Sequence, residues 1–246
     1  MNWRNVWFIS RTEMRGNMVS WIISILFSVY FGFMSAGLLN QDHVFTGHID
    51  ELRFNRAILD LLFIIHCSIM GFLCGREYFS FFKCDTFTKK LATYRKWPIE
   101  ARELVYSRYA TMMVSLPVMT VLFFGLLYLL SGELREQLSI SDYAAFGVFW
   151  AGFAMFSLGM YVVFEYGLSG KRYFAFNMLL VLVFIAVVVI VALAEGSIVI
   201  ASLELVQAWG WGAALLSIAL AVGSLWLWGK LTVRIVERRD LLGKGR

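Results

Sequence analysis

Two ionisable residues lie inside long apolar stretches, His66 in LLFIIHCSIMGFLC and Glu165 in GMYVVFEYG. Charge at membrane depth is costly and often marks function. A neutral imidazole at position 66 can be a packing histidine hydrogen-bonded between helices. It can equally line a substrate path or accept a proton, and both readings stay open. Glu165 stands about one turn from Lys171 and Arg172, which favours an interfacial ion pair over a relay carboxylate. Pro117 interrupts another apolar stretch and predicts a kink, either lining a pathway or only a packing bend.

Metal chemistry has weaker support. Cys67, Cys74 and Cys84 are too far apart in sequence to form a local chelate and read as small buried or interfacial thiols. Asp42, His43, His48, Asp50 and Glu51 offer donors for a divalent ion, but their spacing is unconstrained and a solvated loop is the simpler reading. A nucleotide-hydrolysing chain would need GxxxxGK[ST], whose amides cradle phosphate while its Lys and hydroxyl serve the phosphates and Mg²⁺. The nearest approach, Gly167-Leu168-Ser169-Gly170-Lys171-Arg172, has the wrong spacing and an arginine where the hydroxyl belongs. GxSxG, HExxH and CxxC are absent too, so the expectation is a non-enzyme with no catalytic, cofactor or metal site in this chain.

The elements that must position these residues follow from composition. Of 246 residues 60% are hydrophobic and only 16% charged, against ~45–50% and ~25% in soluble domains. The apolar residues come in blocks close to the ~20 residues that cross a ~30 Å hydrocarbon core. The expected fold is therefore an all-α integral membrane protein with one transmembrane domain. Its six spans are placed at about 19–39, 54–75, 108–130, 142–166, 175–194 and 208–230. Arg56 and Asp60 burden the second span, and both are expected to snorkel toward the interface. Gly152, Ser157 and Gly159 give the fourth span a small-residue face for close packing. Trp209, Trp211, Trp226 and Trp228 bracket the sixth as interfacial belts do. The apolar connector 195–207 is expected to be a re-entrant external helix.

Of the 22 Lys and Arg residues, all but Arg53, Arg56 and Arg135 fall on one side of this arrangement. The positive-inside rule then puts both termini, the 76–107 loop and the 231–246 tail in the cytoplasm. The net charge of +5 is explained by topology and anionic lipid, with no call for nucleic acid. The N-terminal segment lacks the pattern of a cleaved leader. Instead residues 1–18 predict an interfacial helix, with Trp3, Trp7, Met14 and Met18 in one sector and Arg4, Arg11 and Arg15 beside it.

External loops are short, whereas the basic segment 76–107 carries Phe79, Phe82, Phe87, Leu91 and Tyr94 at helical spacing. It predicts a short helix, a break near Arg95–Trp97, and a second helix starting at Pro98, with Glu100 and Glu103 at that helix's positive end. Glu77, Asp85-Thr86, Leu91 and Trp97-Pro98-Ile99 followed by Glu103-Leu104-Val105 resemble the ABC-2 type permease subunits of ABC transporters, in their small bacterial six-span form. In that family a Glu ends the second span, a Gly-Thr pair opens a cytoplasmic coupling helix, and a Leu-rich stretch leads through Pro-Val/Ile-Ser into span three. Asp85 stands where the family usually has Gly, the Leu pair is reduced to Leu91, and Tyr94-Arg95-Lys96 resembles a small basic insertion.

The resemblance covers the whole chain by layout and about thirty residues by motif. It implies that Glu77, Asp85, Thr86, Phe87, Lys90, Leu91, Tyr94 and Pro98 couple to a separate ABC ATPase subunit that carries ATP and Mg²⁺. It also implies a second permease chain, identical or related, in the cell membrane, and export as the direction. An ion-coupled secondary transporter using His66, a membrane enzyme, and a non-transporting scaffold or sensor are the competing classes; no convincing internal repeat favours the first of these. Topology is directly testable. With the native cysteines replaced, an impermeant maleimide should label Lys96→Cys only from the cytoplasmic side and Glu136→Cys only from outside; labelling of both from one side would refute the assignment.

Overall fold

A computed structural model describes residues 1–40, 49–73, 85–94, 96, 97 and 99–239, with only the backbone of 49–52 and of 87. The described chain is all-helical: α1 Trp3–Gly16, α2 Met18–Leu39, α3 Ile49–Ile69, α4 Thr86–Tyr94, α5 Ala101–Leu130, α6 Gly132–Gln137, α7 Ile140–Gly167, α8 Gly170–Leu193, α9 Ile198–Trp209 and α10 Trp211–Arg238. Among them α2, α5, α7, α8 and α10 are long and apolar enough to cross a membrane. α3 is of similar length, but Arg53, Arg56 and Asp60 interrupt its hydropathy, and it ends at Ile69 rather than near residue 75.

Small residues decide which helices meet. α2 turns Ser20, Ser24, Ser28 and Gly32 inward at four-residue spacing, and a Cβ at Gly32 would lie 3.4 Å from Leu126 of α5. The most extensive packing joins α7 to α10, on the small-residue face expected from sequence. There Gly152 sits against Ser217 and Gly159 against Trp228. Trp228 thus serves the helix seam instead of the belt, while Trp209, Trp211 and Trp226 are exposed. Phe63 of α3 is fully buried among Phe123, Phe124, Phe146 and Trp150, where edge contacts between rings add to area burial.

The end of α3 is a second determinant. Gly71 adopts φ +97°, a conformation that side chains with a Cβ rarely take. Helix carbonyls freed by such a break must find donors within the protein, because hydrocarbon offers none. Ser115 of α5 donates to the Gly71 carbonyl and Ser24 of α2 donates to that of Phe72 at 3.0 Å. Near the middle of the same helix Asp60 does not snorkel. Its buried carboxylate accepts from Ser197 Oγ at 2.7 Å and from the Ile198 and Val199 amides at 2.8 and 2.9 Å, capping the positive N-terminus of α9. The apolar connector is therefore a helix, pinned to α3 by one acidic residue.

The α7–α10 seam gives a direct test of this packing. A Cβ on Gly152 would stand 2.1 Å from Ser217 Oγ and 2.9 Å from that residue's carbonyl carbon, whereas one on Gly125 meets nothing within 4 Å. Gly152→Ala should destabilise by about 1–3 kcal/mol in thermal unfolding of the detergent-solubilised protein, and Gly125→Ala should leave the transition in place.

Candidate functional site

At the bundle end that carries α1, the short helix α4 lies across the termini of four other helices. Leu91, fully buried, is its apolar contact, and polar bonds surround it. Asp85 begins the helix at φ +43°, which short polar residues tolerate better than most. Its carboxylate accepts the Gly170 amide of α8 at 2.9 Å and the Thr88 amide of its own first turn at 3.4 Å. Arg239, just past α10, donates to Thr88 Oγ1 at 2.7 Å and to the Leu168 carbonyl at 3.2 Å. Lys90 Nζ reaches Glu13 Oε1 of α1 at 2.9 Å, and the Tyr94 hydroxyl donates to the same oxygen at 3.0 Å.

Glu13 is the hub. Its other oxygen lies 4.0 Å from Arg108 Nη1 of α5, and Arg108 Nε donates at 3.0 Å to Glu165 of α7. The Arg108 guanidinium also lies over the Phe72 ring, 5.6 Å from its centroid. Burial pushes the Glu13 carboxyl up, but the charges of Lys90 and Arg108, with hydrogen bonds from Lys90 and Tyr94, outweigh it and hold the group below its usual value. The stabilisation is complete above the ordinary carboxylate pKa and is lost as pH falls through the lowered value.

α1 reaches this hub because Val6, Ile9 and Ser10 face the bundle, with Ser10 Oγ 3.0 Å from Thr111 Oγ1. The start of α1 is held by Glu103, which accepts from the Asn2 amide at 2.7 Å and Asn5 Nδ2 at 3.1 Å. Trp3, Trp7 and Phe8 remain exposed on the outside. The far side of α4 is open: Lys89, Thr93, Lys96 and Trp97 are exposed. Beside it, Tyr94, Ile99, Leu104 and Glu237 line a cleft of about 290 Å³.

The structure thus gathers Asp85, Lys90, Leu91 and Tyr94 in one element that Thr86 opens, followed by a break and then by α5 from Ala101, as the spacing of the segment predicts. Glu77 and Pro98 lie outside the described residues, as does the side chain of Phe87. Two expectations change. Glu165 pairs with Arg108 of α5 rather than with Lys171 or Arg172. Glu103 serves α1 in addition to its own helix start. Sequence reasoning did not single out Glu13 or Arg108. The signal was present in the spacing 6, 9, 10, 13, which puts Glu13 on the buried face of α1.

His66 and Pro117 sit elsewhere. His66 is buried in mid-bundle, stacked 5.0 Å from the Phe31 ring and 4.5 Å from Phe123, and neither ring nitrogen has a hydrogen-bond partner among the described residues. α5 runs as one helix through Pro117. Among the described residues no three His, Cys, Asp or Glu gather as metal ligands; Cys74, Cys84, Asp42, His43 and His48 lie outside them. No family model, curated protein or solved structure matches the chain.

Removing the hub should loosen α4. Glu13→Ala leaves Lys90 and Arg108 without their shared counter-charge and should cost about 2–4 kcal/mol in chemical or thermal unfolding. Glu13→Gln, which keeps an acceptor for Tyr94, should cost less; equal stability of wild type and Glu13→Ala would show that the cluster contributes nothing.

Proposed function

We propose that this chain is the membrane-spanning permease subunit of an ATP-driven ABC transporter of ABC-2 type, working as an exporter in the cell membrane with both termini in the cytoplasm. ATP and Mg²⁺ bind a separate ATPase subunit, and a second permease chain, identical or related, completes the path. α3 is the second of the six spans: its Asp60 is neutralised at depth by the α9 N-terminus, and Arg53 pairs with Glu195 at the interface. α1 lies in the cytoplasmic headgroup layer with Trp3 and Trp7 toward lipid.

The observation that carries this reading is the two-sided character of α4. One side is bonded to α1, α8 and the Arg239 segment through Glu13, Gly170 and Thr88, as a lever must be if force is to reach the spans. The other side is exposed and available to a motor. Asp85 lends further support, since it takes a left-handed backbone conformation where the family usually has Gly. Nucleotide-driven closure of the ATPases displaces α4; Glu13 makes α1 move with it, and the Arg108–Glu165 pair passes the displacement to α5 and α7. Coupling of this kind requires the ATP-bound motor to contact α4 differently from the free one.

A second reading, an ion-coupled secondary transporter, draws on His66, buried with no hydrogen-bond partner among the described residues. Transport in proteoliposomes separates the two, because the permease reading requires ATP and tolerates collapse of the proton gradient. The coupling surface has its own test. Lys89→Glu combined with Lys96→Glu, both exposed, should leave the melting temperature unchanged and lower permease-stimulated ATP hydrolysis by about tenfold or more, as loss of over ~1.4 kcal/mol of docking energy implies. Unaltered complex formation and hydrolysis would exclude α4 as the coupling element.

A further inference from the structure

α8 packs chiefly on α3 and only lightly on α7, and a cleft of about 1130 Å³ opens between α7, α8, α9 and α10. Its walls include Phe153, Phe156, Val187, Ala201, Leu205 and Leu220, and no charged side chain among the described residues lines it. Apart from Trp209 at the rim, the few polar side chains in the wall are already committed. Trp150 Nε1 donates to Ser202 Oγ at 3.2 Å, Ser202 to the Val199 carbonyl at 2.7 Å, Ser217 to the Phe149 carbonyl at 2.8 Å, and Ser197 to Asp60 at 2.7 Å. Water entering such a space would find no free partners, so it favours hydrocarbon. A methylene is about the size of a water, ~30 Å³, so two chains of roughly 16–18 carbons occupy about 1,000 Å³.

The mouth has a different character. Gly196 and Ser197 form part of the wall, and the adjacent Glu195 is paired with Arg53 of α3. Arg53 Nε is buried with no hydrogen-bond partner among the described residues, and Arg56 stands one turn along the same helix. Exposed Trp209 completes the rim, a residue suited to headgroup depth. An apolar interior with the Arg53–Glu195 pair one residue beyond its wall is complementary to a molecule with hydrocarbon chains and a phosphodiester.

We infer that the cleft between α7, α8, α9 and α10 binds one diacyl glycerophospholipid, its two acyl chains between the helices and its phosphodiester at Arg53. The site requires only that these helices span a bilayer and does not depend on the permease reading. Native mass spectrometry of the detergent-purified chain, with a phosphatidylcholine spin-labelled on one acyl chain added back, tests it.

The wild type should retain one phospholipid per chain and give a motionally restricted spectral component. Ala201 and Leu205 are exposed within the cleft, so Ala201→Trp and Leu205→Trp should fold with wild-type melting temperatures and lose both signals. Arg53→Gln should weaken phospholipid binding by about tenfold, the loss of one charged hydrogen bond. Absence of retained lipid in the wild type, retention undiminished in both tryptophan variants, or restricted lipid that appears only when copies of the chain dissociate would overturn the site. Unchanged affinity in Arg53→Gln would overturn its headgroup half.

Discussion

A single carboxylate joins helices that lie far apart in the chain. Glu13, on a helix at one end of the bundle, shares its oxygens between Lys90 and Tyr94 of α4 and Arg108 of α5, and Arg108 in turn holds Glu165 of α7. With little water to screen them, such charges couple more strongly than surface pairs, and removing Glu13 takes a counter-charge from both Lys90 and Arg108. Four helices from distant parts of the chain are thereby committed to one geometry. The apolar bulk of the bundle could not do this, because lipid and helix side chains are equally greasy and hydrophobic burial alone does not choose between neighbours.

The same constraint explains the two irregular places within the bundle. Where α3 stops and the chain turns at Gly71, serines of α2 and α5 supply the missing donors. Where α9 starts, Asp60 supplies the acceptor. Both are cases of backbone polarity satisfied by neighbouring helices in a setting without water. Both also tie α3, the most polar of the long helices, to elements on either side of it. Its charged residues, which lower its hydropathy below that of the other long helices, are what fasten it in place.

Much of this was legible in the chain. Apolar blocks located the long helices, the glycines at 152 and 159 identified the α7–α10 seam, and the spacing of Phe87, Leu91 and Tyr94 outlined α4. What escaped was pairing across long sequence separations. Glu165 had two basic residues close in sequence and a third, Arg108, far away; proximity in sequence favoured the wrong partner because charges at a helix end choose by depth and facing direction. Asp60 looked like an interfacial residue for the same reason, since the N-terminus it caps lies more than a hundred residues on. Glu13 was hidden among the arginines of α1, whose Trp and Arg pattern is set by the outer face rather than the one that meets the bundle.

The central claim is that α1 and α4 move as one body when an external motor acts on them. Pulsed electron–electron distance measurement tests it most directly, with spin labels at exposed Thr93 of α4, Trp7 of α1 and Glu204 of α9, in the proposed complex with a separate ABC ATPase before and after nucleotide trapping. The account predicts that the distance between positions 93 and 7 stays fixed while the distances of both to 204 change together. A nucleotide-dependent change between 93 and 7, with 7 stationary relative to 204, would contradict it.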